Sequence, residues 1–167
     1  HSATKFLCGH SDAMGGLLAG KKELVQKVFQ FREINGASLQ ADPAYMIARG
    51  MKTLQLRIER QNTSAMKIAH YLQQHSKVKA VYYPGLESHS GHAIAKKQMR
   101  GFGGMISFEL KDESVEAATK VLSSTHLFSL AESLGGVESL INHPASMTHA
   151  SIPREERIKN GLSDSLI

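Results

Sequence analysis

The sequence predicts a mixed α/β fold. Three observations carry that reading: a long apolar periodicity of helical spacing in the first half, an alternation of short strand-like and helical segments from about residue 77 onward, and a globular composition. Hydrophobic residues fill 41% of the 167 positions and charged residues 21%, which excludes a chain disordered throughout. A chain of this length buries roughly 70% of its unfolded surface and needs no staples to hold a core. Cys8 is the single cysteine, so no intrachain disulfide can form and a reducing compartment is expected.

In chain order, the block from Ser2 to Asp12 reads as an extended surface segment, and Gly15 to Gly20 as a small-residue strand leading to a helix that starts near Lys21. From Ala44 to His75, Met51, Leu54, Ile58, Ala65, Ile68 and Leu72 recur at helical spacings, with Arg57, Arg60 and Lys67 between them. That pattern predicts one long amphipathic helix, with Asp42-Pro43 as cap and first-turn residue. Lys77 to Tyr83 predicts a strand that stops at Pro84-Gly85, and Ala93 to Met99 a short basic helix. Met105 to Leu110 predicts a second strand, since Ile106, Phe108 and Leu110 alternate with Ser107 and Glu109. Asp112 then caps a helix carrying Val115, Ala118, Val121 and Leu122, and His126 to Leu130 reads as a third strand. The boundary falls where the long helix ends, giving parts 1–75 and 76–167. The chain opens without Met and closes on Ser165-Leu166-Ile167, which points to a piece of a longer protein.

The formal charge is +5 and the pI about 9.4, a balance that suits anionic metabolites or nucleic acid. Only Lys21-Lys22 and Lys96-Lys97 are adjacent basic pairs, Trp is absent, and no zinc finger or RNP motif is present, so a nucleic-acid partner is not expected. The longest small-and-apolar run, Met14 to Gly20, is far short of the roughly 20 residues a bilayer span needs. No membrane span is expected, and the N-terminus lacks the pattern of a secretory signal, which together point to the cytoplasm.

Ser2, Thr4 and Lys5 bring hydroxyls for a phosphate ester beside an amine that can form a Schiff base with an aldehyde. Phosphate plus aldehyde is pyridoxal phosphate, although on spacing alone such common residues read more readily as a surface loop. His10-Ser11-Asp12 cannot be a triad, because three consecutive residues do not align nucleophile, base and carboxylate. Gly15 to Lys22 follows phosphate-loop spacing up to its last position, where Lys22 replaces the hydroxyl residue that would hold magnesium. His89 and His92 are the closest histidine pair, but no cysteine or acidic residue stands at ligand spacing and no metal is expected. Cys8 reads as a small packing residue. Downstream, Leu130 to Leu140 and His143 to Ser151 are dense again, and the paired Gly135-Gly136 either let backbone approach a ligand closely or make a tight turn.

Taken together, these blocks resemble the Cys/Met metabolism family of pyridoxal-phosphate enzymes. The resemblance rests on Ser-Ala-Thr-Lys-Phe-Leu-x-Gly-His-Ser-Asp at the start, Arg49-Gly50-Met51-Lys52-Thr53-Leu54, Tyr82-Tyr83-Pro84-Gly85-Leu86, Ala95-Lys96-Lys97-Gln98-Met99, Gly103-Gly104-Met105, Ala131 to Leu140, and His143 to Ser151. It implies a type I, aspartate-aminotransferase-like transferase fold, with the end of the large domain and most of the small C-terminal domain present, and a homotetramer acting on small amino acids. By the same resemblance Lys5 would hold the cofactor and move protons, and Ser2 and Thr4 would bind its phosphate. Glu132, Ser133 and Thr148 would face the substrate. Glu132 resembles the cystathionine γ-lyase and γ-synthase branch, whereas methionine γ-lyases usually carry an apolar residue there.

The implied reaction is γ-elimination of cystathionine to cysteine, 2-oxobutanoate and ammonia, or γ-replacement on an O-acyl-homoserine by cysteine. Cys8 stands where the family often has asparagine or another small polar residue, and Ser90 where proline is common. The family's ring-stacking tyrosine, ring-nitrogen aspartate and glycine-rich phosphate loop precede the lysine, and its carboxylate-gripping arginine follows Leu-Ile, so these 167 residues alone are not expected to turn over substrate. Two other readings stay open: a catalytically silent assembly domain of the same fold, and a basic nucleic-acid-binding module.

Overall fold

A computed structural model describes residues 1–167. It contains two compact units: His1–Gln55 with Ser133–Val137, and Leu56–Glu132 with Glu138–Ile167. The units thus divide near the start of the long helix, where the sequence reading draws its line at the end.

The first unit opens not with an extended segment but with a single π turn, Ala3–Leu7, closed by the Cys8 N–H donating to the Ala3 carbonyl at 2.9 Å. Ser2, just before it, is extended. The Ala3 and Thr4 amides both donate to the Gly15 carbonyl, at 2.8 and 3.3 Å, and this gathers the chain into the wide turn that π bonding gives. The expected strand over 15–20 reduces to one antiparallel bridge, Ser2 with Gly16. Helix α1 follows at Lys22–Asn35, close to its expected start, and none of its residues is buried.

The single helix expected over 44–75 is two, α2 at Ala41–Met51 and α3 at Leu54–Gln74. At the break, Lys52 N–H bonds the Arg49 carbonyl, and both the amide and the hydroxyl of Thr53 bond the Gly50 carbonyl, each at 3.2 Å. These bonds to carbonyls three residues back tighten the turn, and the threonine hydroxyl competes with the helix ladder. Asp42-Pro43 lie inside the first turn of α2, behind Gln40 at the cap position, where proline's missing N–H costs nothing. Ala3, Cys8 and Ile47 form the small core of this unit, with Leu7 and Ala13 against it.

The second unit contains α3 from Leu56 on, β1 at Val78–Tyr82, α4 at His92–Gln98, β2 at Ser107–Leu110, α5 at Val115–Ser123, β3 at Ser129–Leu130, β4 at Leu140–Ile141 and α6 at Arg154–Lys159. Strands β1 and β2 pair antiparallel, with a bulge at Lys79 that bends the ribbon. Leu166 and Ile167 run along β2 as well, Ile167 exchanging both backbone bonds with Phe108 at 2.9 Å. The expected alternation of β2 fails at its end, since Glu109 is as buried as Leu110 and accepts a bond from Ser163 Oγ at 2.9 Å. The expected strand over 126–130 keeps only β3, which pairs parallel with β4. Thr125 Oγ1 bonds the carbonyls of Leu122 and Phe128, at 3.0 and 2.9 Å, and so holds the preceding residues in a turn. Helix α5 is capped by Ser114, whose Oγ accepts from Ala117 N–H at 3.1 Å; Asp112, the expected cap, stands two residues earlier and accepts from Ser114 N–H.

Two apolar clusters hold this unit. One joins Ala65 and Ala69 of α3 to Tyr83 and Leu86, and the other joins Leu110, Ala118, Leu122 and Ile167. Tyr83 is fully buried, which pushes its phenol above the usual tyrosine range, and its hydroxyl donates to the Gly103 carbonyl at 2.9 Å. Asn62 Oδ1 accepts from the Gly103 amide at 2.7 Å, so both polar groups of one loop residue are tied down. Tyr83→Phe should lower stability by about 1 kcal/mol in urea titration, the net worth of one buried hydrogen bond. No helix is long and apolar enough to cross a membrane.

Candidate active site

Chemistry-bearing groups concentrate on the π turn of the first unit. Lys5 lies within it at φ −89°, ψ −121°, half-buried, and its amine donates to Ser133 Oγ at 3.1 Å across 128 residues of sequence. π turns are frequent at functional sites, and this one carries the residue singled out by the sequence. Thr4, beside it, is fixed through its hydroxyl: the Gly15 N–H donates to Thr4 Oγ1 at 3.1 Å, while the hydroxyl's own proton has only a 3.4 Å contact to the Gly15 carbonyl. Ser2 is exposed, and its hydroxyl makes no hydrogen bond.

These observations decide whether a phosphorylated aldehyde suits the residues present. A hydroxyl whose oxygen is held by an amide and whose proton is weakly engaged is set up to donate to an anionic oxygen. A second unengaged hydroxyl lies two residues away, and a primary amine next to Thr4. Pyridoxal phosphate fits this donor set.

The turn is held from behind by Cys8, His10, Asp12 and Gly50. Cys8 is fully buried, as a packing residue should be, and its thiol donates to Asp12 Oδ1 at 3.1 Å. His10 Nδ1 donates to the Cys8 carbonyl at 2.8 Å. The His10-Ser11-Asp12 run therefore closes the turn rather than forming a triad. Gly50 of α2 packs so closely here that a Cβ would overlap the Cys8 carbonyl oxygen. Gly50→Ala should cost about 1–3 kcal/mol of stability through forced backbone displacement, read as a lowered denaturation midpoint. Sequence reasoning missed Gly50 and Gly15 as supports of the site; their glycine identity was the available signal, but close approach at those positions is a tertiary fact.

The remaining expected site residues lie in the second unit. Glu132 is exposed, directly before Ser133 in the chain. Thr148 is exposed too, with its hydroxyl 2.8 Å from His149 Nδ1. The dense block around Thr148 also has a structural member that the sequence did not reveal. His143 is fully buried, its Nδ1 bonded to Ser146 Oγ and its Nε2 donating to the Asp164 carbonyl, both at 2.8 Å. Asp164 accepts from Arg154 Nε at 2.6 Å and from Arg157 Nη2 at 3.2 Å. The Arg154 guanidinium, with Arg157 behind it, holds this carboxyl below the usual aspartate range against the opposing effect of burial.

A model of the family described as Cys/Met metabolism PLP-dependent enzyme matches residues 1–167. A cystathionine beta-lyase of Coxiella burnetii is 54% identical over 169 residues, covering 100% of this chain and 43% of that protein. A cystathionine gamma-lyase of Bacillus subtilis is 49% identical over 168 residues, covering 100% of this chain and 44% of that protein. The crystal structure of cystathionine gamma synthase from Xanthomonas oryzae pv. oryzae, in complex with aminoacrylate and cysteine, superposes with a TM-score of 0.92 at 45% identity, over 99% of this chain and 43% of that one. The chain spans less than half the length of these relatives.

Proposed function

The chain belongs to the Cys/Met metabolism PLP-dependent enzyme family, and on that premise we propose that the intact protein is a transsulfuration enzyme that breaks or makes the bond between sulfur and Cγ of a homoserine-derived chain. It would release cysteine, 2-oxobutanoate and ammonia from cystathionine, or form cystathionine from an O-acyl-homoserine and cysteine. The observation that carries this reading is the Lys5 amine seated on Ser133, beside a Thr4 hydroxyl whose proton makes only a long bond to the Gly15 carbonyl.

Bound pyridoxal phosphate supplies an electron-withdrawing ring that takes up negative charge developing at the substrate's Cα. Lys5 would hold the cofactor through its amine, and the same amine would move protons at the substrate's Cα and Cβ. Ser133 keeps that amine in one place between transfers, because its oxygen accepts the N–H while its own proton remains to donate to a substrate carboxylate. Thr4 and Ser2 hold the phosphate, Thr4 with its oxygen pinned by Gly15. Glu132 and Thr148 are assigned to substrate recognition on the family's motif.

A second reading is favoured by the 54% identity to a protein named cystathionine beta-lyase: cleavage between Cβ and sulfur. The products separate the two. The intact protein should yield 2-oxobutanoate and cysteine from cystathionine, or cystathionine from an O-acyl-homoserine and cysteine; pyruvate and homocysteine from cystathionine would overturn the γ reading in favour of the β one. No keto acid from cystathionine, and no cystathionine from acyl-homoserines, would overturn both and bring forward the silent assembly domain. The protein is further proposed to work in the cytoplasm as a homotetramer. The exposed apolar residues of α1, among them Leu24, Phe31 and Ile34, support burial against further protein.

A further inference from the structure

The loop Ser133–Val137 belongs to the first unit, although the residues on either side of it belong to the second. It is seated there by backbone lying on backbone. A Cβ on Gly135 would stand 2.5 Å from the Phe6 nitrogen and 2.8 Å from the Lys5 carbonyl carbon, both main-chain atoms that cannot swing aside. Gly135 also has a φ of 83°, which residues with side chains adopt at a cost. Two residues earlier in the same loop, Ser133 Oγ accepts from Lys5 Nζ at 3.1 Å.

The loop therefore meets Lys5 at two points, its main chain through Gly135 and its amine through Ser133. Two residues are too short a span for these contacts to be independent. The shift of about one ångström that a Cβ would force is enough to carry a 3.1 Å hydrogen bond beyond reach.

We propose that Gly135 is a positioning residue for the lysine: its bare α-carbon lets the loop rest on the Lys5–Phe6 peptide, and that rest places the Ser133 hydroxyl on the amine. The catalytic meaning rests on the reading of Lys5 as the cofactor lysine. The geometric assignment concerns the protein without cofactor and is tested there.

The test is a double-mutant cycle on the intact apo protein. The rate at which an amine-acylating reagent modifies Lys5 at fixed pH is followed by peptide mass mapping in wild type, Gly135→Ala, Ser133→Ala and the double variant. Each single change should raise the Lys5 rate by about three- to tenfold, the loss of one hydrogen bond, and the double variant should raise it no further. Rates that multiply in the double variant, or a wild-type rate in Gly135→Ala, would overturn the proposal.

Gly103→Ala serves as the control, because Gly103 has a φ of 84° with open space around it. It should lose stability and leave Lys5 unchanged; an equal rise in Lys5 labelling there would show general loosening and also overturn the proposal. If Gly135→Ala does not fold, Gly135→Asn carries the same Cβ with less penalty at positive φ and the same expectation. Borohydride reduction of the wild-type protein with pyridoxal phosphate separates this proposal from the functional reading. No adduct on Lys5 sinks the cofactor assignment and leaves the labelling cycle standing, whereas an adduct together with multiplying rates sinks only the role of Gly135.

Discussion

Lys5→Ala should abolish turnover in the intact protein, by about 10⁴-fold or more, while leaving the fold in place. The size of the effect follows from the two tasks assigned to one amine. On the proposed reading it would hold the cofactor and would also carry the protons that leave and return at the substrate. Lys5→Arg should fail as completely, because a guanidinium keeps the charge and does not form the Schiff base. That pair of variants separates nucleophilic amine from mere cation. Secondary structure should be untouched in both, since Lys5 is half-buried and its side chain bonds only Ser133. Borohydride reduction followed by peptide mapping should find the pyridoxyl group on Lys5 in wild type and on neither variant. Turnover within tenfold of wild type in Lys5→Ala would remove the lysine from the mechanism.

The largest stability effect away from the site is expected at Asp164→Ala. Arg157 is buried, its Nη2 bonds Asp164 Oδ1, and its Nη1 has no partner. Without the carboxylate, a buried guanidinium would have no acceptor at all, which costs about 3–5 kcal/mol. For a chain of this size that is a fall in Tm of about 10 °C. The pH dependence has a definite sign. Arg154, first, and Arg157 hold the Asp164 carboxyl below the usual range, so its contribution is complete above the pKa of a free aspartate and is lost as pH falls through the lowered folded value. The difference in stability between wild type and Asp164→Ala should therefore stay constant from about pH 7 to 5 and shrink only below about pH 4. A difference that instead vanished near neutrality would show that another group carries the effect.

Residues whose role is set by local chemistry were legible in the sequence. The start of α1 near Lys21, strands within 77–83 and 105–110, and Cys8 as a packing residue all follow from neighbouring side chains, and the structure has them, the two strands at 78–82 and 107–110. The dense opening block also drew attention to Lys5 and Thr4, and the downstream block to Ser133 and Gly135. What was lost was lost to side chains bonding backbone at a distance of a few residues. Thr53 splits the long helix without disturbing its apolar phase, and Thr125 consumes half of an expected strand. Gly15 turns an extended segment into a π turn through bonds across a dozen positions, which no periodicity reveals. The Lys5–Ser133 bond lay beyond local reasoning altogether; only the resemblance of both blocks to one family linked them in advance.

That bond has a consequence for how the protein is made. Lys5 leaves the ribosome 128 residues before the hydroxyl that receives its amine. At ordinary elongation rates this is an interval on the order of ten seconds. The first unit cannot close during that interval, because the piece it lacks, Ser133–Val137, has not yet been translated. Any aldehyde present meets an unguarded amine on a nascent chain, and a cofactor arriving that early would find the lysine before its setting exists. Loading should therefore follow translation of Ser133–Val137, and a pulse of labelled pyridoxal phosphate during synthesis should mark only chains in which that segment has left the ribosome.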